Sequence, residues 1–150
     1  MNNDLMFSSN KDDWETPQWL FDELNQEFNF TLDACATEKN KKCDRYLSDA
    51  MNQTWAGNVW CNPPYGRTTT GDFINRGYEQ FQHESSCRSV VFLVPARTDT
   101  SWFHTYCYYD DIKSPEPPEI RFLKGRLKFE VNGVPCKNAA PFPSMLVIFK

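Results

Sequence analysis

A chain of 150 residues with 40% hydrophobic content is long enough to build one core and too varied for a low-complexity or disordered class. A formal net charge of -4 does not advertise nucleic-acid binding and does not exclude it, since a local basic face can supply the phosphate contacts while the rest of the surface is acidic. No run approaches the ~18 consecutive apolar residues of a membrane span, and no basic-then-apolar leader opens the chain, so a cytoplasmic protein without a membrane partner is expected. The polar residues 1–12 are expected to form a flexible amino end, and residues 13–150 a single domain.

In chain order, the first predicted element is a helix in DDWETPQWLFDELNQEF. Asp13 and Thr16 are its candidate caps, Pro17 suits a first helical position, and Trp19, Leu20, Leu24 and Phe28 share one face. A short strand over residues 30–33 follows, then a polar stretch and a second extended piece, RYLS. GNVWCN is the third strand. Residues 70–82 place Phe73, Ile74, Tyr78 and Phe81 at helical spacing, interrupted by Gly77. SVVFLVPA, apolar on both faces, reads as a central strand. A short helix capped by Thr98 or Asp99, a rigid SPEPPE turn, one or two strands in EIRFLKGRLKFEV and a last strand, SMLVIF, complete the chain. Alternating strands and helices closed by further strands predict an α/β fold, a mostly parallel sheet with helices on both faces and an antiparallel finish.

Cys35, Cys43, Cys61, Cys87, Cys107 and Cys136 form no CxxC pair, and His83 and His104 stand apart from them. Reduced, mostly buried thiols are expected, with no metal site.

The stretch VWCNPPYG carries the clearest chemistry. Pro63 and Pro64 cannot donate to a sheet ladder, so the strand has to stop at about Asn62 in a stiff turn, where an open α/β sheet places its ligands. The Asn62 side-chain oxygen and the Pro63 carbonyl are two acceptors that together suit a planar exocyclic amine. Tyr65 adds an aromatic face of the kind an extruded base needs. A plain turn with a packed tyrosine would use the same four residues.

NPPY resembles the catalytic motif of amino-group methyltransferases dependent on S-adenosylmethionine. Together with DWETPQWLFDEL, FTLDACATEKNKKCDRY, VVFLVPARTDTSWFH, FLKGRLKF and KNAAPFPSMLVIF, it makes the chain similar to the compact phage DNA N6-adenine methyltransferases, a Dam-like family. The resemblance implies a compact class I methyltransferase fold, three-layered and Rossmann-like. It also implies S-adenosylmethionine as cofactor, double-stranded DNA as partner, the host cytoplasm as location if a phage encodes the chain, and Asn62, Pro63, Pro64 and Tyr65 as the residues that hold the adenine. Around the cofactor it implies Trp14, Thr16, Pro17, Asp33, Ala34, Cys35 and Asn62. Trp14 is suited equally to the cofactor and to the core, and Asp33 equally to the cofactor's methionine end and to a strand-end hydrogen bond.

LDACATE departs from relatives that carry a glycine after the first strand, so a backbone needing positive φ there would be strained. Asp49, with Asp44 in reserve, is the acid expected to meet the ribose. For DNA the candidates are Arg67 in the GRTTTGD loop, Arg97 just past the central strand, and Lys124, Arg126 and Lys128. Strand alternation would put those last three on one face, where an edge blunted by solvated charge would look the same.

An adenine N6-methyltransferase of DNA is the leading reading. Alternatives left by the motif are an N4-cytosine, RNA or protein-glutamine methyltransferase, or a non-catalytic nucleic-acid binder on a degenerate version of the fold.

Overall fold

The computed structural model describes residues 14–108 and 117–150; the expected flexible terminus, Asp13 and the first residues of the SPEPPE turn lie outside them. Among the described residues seven strands follow in chain order: β1 (Leu32–Asp33), β2 (Gly57–Cys61), β3 (Cys87–Pro95), β4 (Glu119–Phe122), β5 (Glu130–Val131), β6 (Val134–Pro135) and β7 (Ser144–Phe149). Five make one sheet in the order β1-β2-β3-β7-β4, with β1, β2 and β3 parallel and β7 antiparallel to both of its neighbours. The strands β5 and β6 pair as a separate antiparallel hairpin.

β3 earns the centre of the sheet through composition, since CRSVVFLVP is buried on both faces from Ser89 to Pro95. Its alternate residues feed two cores. Val90, Phe92 and Val94 join Val59, Cys61, Met145, Val147 and Phe149 on one face, under α2 (Thr69–His83) and a π-helical turn, Phe103–Cys107. Val91 and Leu93 join Trp60, Leu146 and Ile148 on the other, under α1 (Gln18–Phe28) and the returning segment around Leu127, Phe129 and Ala140. The mostly parallel α/β sheet and antiparallel last strand expected from the sequence are therefore observed.

Several local expectations are corrected. Pro17 sits at the N-cap of α1, one position before the first helical residue, and neither it nor Thr16 caps with a side chain. The Gln18 N–H is met by Glu130 Oε2 at 3.1 Å, a carboxylate 112 positions away. Trp19 is 61% exposed, and Phe21 takes its place beside Leu20 and Leu24 in the core.

RYLS shrinks to one parallel bridge, Asp33 to Tyr46, on the outer side of β1. The strand expected over residues 30–33 narrows to Leu32–Asp33, although the Thr31 and Ala34 N–H groups still donate to Asn58 and Trp60 across the ladder at 2.8 and 2.9 Å. The turn after β3 is capped by Thr100, whose Oγ1 accepts from the Phe103 N–H at 3.3 Å, rather than by Thr98 or Asp99. The basic run 123–129 is not a strand. It leaves β4 and returns through the β5–β6 hairpin, tied to itself where Cys136 and Ala140 N–H groups donate to Phe129 and Leu127 at 2.8 Å.

Gly77, which weakened the helical reading of residues 70–82, is buried where α2 crosses the ring of Phe92. The fold requires a residue without Cβ there.

Candidate active site

Asp33, Asn62 and Arg97 stand at or just beyond the carboxyl ends of β1, β2 and β3, so three parallel strands deliver them to one edge of the sheet. Pro63 and Pro64 end the β2 ladder as expected, and the turn they form is locked from α2. Thr70 Oγ1 donates to the Pro64 carbonyl and accepts from the Gly66 N–H, both at 3.1 Å. No described group donates to the Pro63 carbonyl.

The Asn62 side chain is held on both ends. Its Nδ2 donates to the Trp14 carbonyl at 2.9 Å and to Thr16 Oγ1 at 3.1 Å, and its Oδ1 accepts from the Tyr65 hydroxyl at 2.6 Å. The same hydroxyl lies 3.1 Å from the Leu93 carbonyl. The half-buried Tyr65 ring meets Phe129 and Phe142 edge-on, with centroids 6.1 and 5.7 Å away. Burial pushes its phenol well above the ordinary range, so it remains a neutral donor.

A cavity of about 320 Å³ opens beside Asn62, within the range of small-ligand sites. Of the residues expected around a cofactor, Trp14, Thr16, Asp33, Ala34, Cys35 and Asn62 all line it. Pro17 does not, being buried at the start of α1, and neither does Asp49. Asp49 is exposed and binds the Asn52 amide at 3.1 Å, while its neighbours Ser48 and Ala50 reach the cavity. Asp44 is exposed and also outside it.

Lys42, which the sequence reading passed over, lines the wall and donates from Nζ to Gln18 Oε1 at 2.7 Å. Leu47, Trp60 and Phe73 supply apolar surface. Trp14 lines the cavity and packs its ring 5.1 Å from Phe129 and 5.4 Å from Phe142.

The glycine-free turn after β1 contains no positive-φ residue, so Ala34, Cys35 and Ala36 occupy it without the strain that a left-handed backbone would bring. Asp33 organises it. Its carboxylate is 3% exposed and accepts from the Cys35 N–H at 3.2 Å and the Lys42 N–H at 2.9 Å. Burial nevertheless raises its pKa to about 6, against the two hydrogen bonds that favour the charged form.

The six cysteines are thiols rather than disulfides. Burial pushes Cys43 and Cys107 up to about 12, Cys87 to about 11 and Cys61 well above the ordinary thiol range, so these four stay protonated at neutral pH and make poor nucleophiles. Among the described residues no cluster of His, Cys, Asp or Glu could hold a metal ion.

Arg97 is exposed, and its guanidinium lies 6.0 Å from the Phe142 ring centroid. Because Phe142 also touches Tyr65, Arg97 neighbours the NPPY turn. Arg67 is exposed in the turn between Tyr65 and α2. Lys124, Arg126 and Lys128 are exposed while Leu127 and Phe129 are buried, so the alternation expected of a strand survives in an extended loop. Among the described residues no helix is long and apolar enough to cross a membrane.

The family model described as DNA N-6-adenine-methyltransferase (Dam) matches residues 5–150. A DNA N-6-adenine-methyltransferase of Escherichia phage T1 is 34% identical over 99 residues, covering 62% of this chain and 40% of that protein. One of Haemophilus phage HP1 is 36% identical over 101 residues, covering 63% of this chain and 56% of that protein. The chain thus aligns with about half the length of the curated relatives it matches. With a match that runs through nearly the whole sequence, the chain belongs to the DNA N-6-adenine-methyltransferase (Dam) family.

Proposed function

We propose that this protein transfers a methyl group from S-adenosylmethionine to N6 of adenine in double-stranded DNA, with residues 13–150 acting as one catalytic domain of three-layered class I type. The observation that supports the proposal is Asn62 lining the cavity on a locked turn, with its Oδ1 available as an acceptor; the second acceptor, the carbonyl of buried Pro63, follows on the same turn outside the cavity lining. Family membership favours adenine over cytosine, RNA or protein glutamine as the target.

The cavity suits the cofactor. Its lining mixes apolar Leu47, Ala50, Trp60 and Phe73 for a purine ring with Lys42, Thr37, Asn40 and Ser48 for charged and hydroxylated parts. Ala34 and Ala36 keep its floor low without glycine. When bound there, S-adenosylmethionine supplies an electrophilic methyl group on a sulfonium centre.

The chain's own work is to aim the amine. Asn62 Oδ1 and the Pro63 carbonyl accept its two hydrogens, which directs the nitrogen lone pair outward and stabilises the positive charge that grows on nitrogen during attack. A carbonyl oxygen has two lone pairs, so the Tyr65 hydroxyl leaves Asn62 Oδ1 one site for the amine. No covalent enzyme intermediate is required, in keeping with the protonated, buried thiols.

Tyr65 is assigned to the extruded adenine as its stacking partner. Arg67 and Arg97 are assigned to the DNA beside it, and Lys124, Arg126 and Lys128 to phosphates further along the same surface.

Incubation with unmethylated duplex DNA and labelled cofactor, followed by digestion to nucleosides, tests the reading. Label in N6-methyldeoxyadenosine is expected. Label in N4-methylcytosine would replace the substrate, and no transfer despite saturable cofactor binding would favour a binding protein on this fold.

A further inference from the structure

The acceptor that the proposed reaction depends on is a side-chain amide, and an amide can be turned either way. In one orientation Asn62 presents oxygen to the amine; in the other it presents a donor and the site fails. The residues around it decide between the two.

The Trp14 carbonyl is an acceptor without a hydrogen, 2.9 Å from Nδ2, so reversing the amide would set two oxygens against each other. Thr16 Oγ1 accepts a second bond from Nδ2 at 3.1 Å; a hydroxyl can accept or donate, so it tightens the orientation that the Trp14 carbonyl sets, and at 2% exposure it has little freedom to follow a moving partner. The Tyr65 hydroxyl donates to the opposite end of the group.

The strand-like segment carrying Trp14 and Thr16 is itself pinned from a distance. Glu15 and Glu130 exchange backbone hydrogen bonds at 3.0 and 2.9 Å, and the Glu15 carboxylate accepts from the Asn132 and Gly133 N–H groups at 3.1 and 3.0 Å. Gln18 N–H donates to Glu130 Oε2 just beyond. Residues 14–18 are thus a strap clamped to the β5–β6 hairpin, and its inner side touches Asn62.

We infer that Thr16, expected from the family resemblance to meet the cofactor, is a positioning residue for Asn62: with the Trp14 carbonyl it locks the amide nitrogen to the strap, so that Oδ1 faces the target amine. This inference rests on the proposed methyl transfer for its consequence in catalysis, but the lock itself is a property of the unliganded chain. Nothing in the NPPY motif reveals it, because the partners lie 46 and 48 positions away.

Two readouts on the full chain separate the inference from the reading beneath it. The first is solvent exchange of the Asn62 side-chain NH2 by nitrogen-15 NMR, without cofactor or DNA. Thr16→Val, nearly isosteric but lacking the acceptor, should speed exchange about fivefold, and Thr16→Ser should restore it. The second is single-turnover methylation with cofactor affinity measured by calorimetry. Thr16→Val should slow turnover about fivefold or more with the cofactor Kd held within twofold, and should add nothing in an Asn62→Ala background.

Unchanged NH2 exchange in Thr16→Val would overturn the lock whatever the enzyme methylates. Weakened cofactor binding at unchanged turnover would return Thr16 to the cofactor and overturn the positioning role. If the wild type methylates no adenine while Thr16→Val still frees the Asn62 amide, the proposed reaction fails and the lock stands.

Discussion

Asp33→Asn probes the turn that shapes the cavity wall, and its effect depends on pH. In the folded protein desolvation pushes the Asp33 carboxyl up to about 6, from its ordinary value of 3.8. A raised folded-state pKa means that the native protein holds a proton which the unfolded chain has already released. The resulting stability is complete below about pH 4 and is lost as pH climbs through about 6. At about 1.36 kcal/mol for each unit of pKa, the whole effect is roughly 3 kcal/mol, of which about 2 kcal/mol falls between pH 4.5 and 7.

Asparagine removes the titration. It also sets its NH2 group against one of the two N–H donors, Cys35 or Lys42, and therefore costs stability of its own at every pH. The informative quantity is accordingly the difference between wild type and variant in urea unfolding, measured across this pH range so that carboxylates such as Glu27 and Glu119, whose pKa values are lowered by Arg121, cancel. Wild type should lose its advantage over Asp33→Asn as pH rises. A difference that stays flat, or that grows toward neutral pH, would refute the account of Asp33 as a carboxylate whose burial outweighs its hydrogen bonds.

Asn62→Ala should lower turnover by about 100-fold or more while leaving cofactor affinity within twofold, as measured by single-turnover methylation and calorimetry; wild-type rates in a folded variant would remove Asn62 from the reaction. Gly77→Ala should destabilise by about 1–3 kcal/mol in urea unfolding, because the new Cβ lies 2.7 Å from Phe92 Cε2, closer still to its Cζ, and 3.2 Å from Trp55 Cζ3. If helix propensity prevailed instead, the variant would gain up to about 1 kcal/mol, and the close crossing of α2 over Phe92 would be wrong. Joint replacement of Lys124, Arg126 and Lys128 by alanine should flatten the salt dependence of DNA binding by about one unit of slope per lost phosphate contact; an unchanged slope would make these charges merely solvated. Arg97→Ala should reduce turnover or alter target choice more than overall affinity, and behaviour identical to the triple variant would detach Arg97 from the NPPY turn.

Much of the architecture is legible in local pattern, because burial and periodicity are written residue by residue. SVVFLVPA reads as a two-faced central strand, SMLVIF as a last strand, and the double proline as a stop at about Asn62, one residue past the observed end of β2 at Cys61. Gathering the ends of three parallel strands at one edge then follows from the alternation of strands and helices.

What the chain alone leaves open are pairings between distant polar groups, which follow no period. Glu130 as the cap of α1, the Glu15 clamp on the β5–β6 hairpin and the grip of Trp14 and Thr16 on Asn62 join residues between 46 and 118 positions apart. The basic run 123–129 misled for a related reason. Alternation reports which side chains are buried, and Leu127 and Phe129 are buried, but only a neighbouring strand can make an extended segment part of a sheet. Gly77 shows the converse: locally it argues against a helix, and tertiary packing requires it because Phe92 leaves no room for a Cβ.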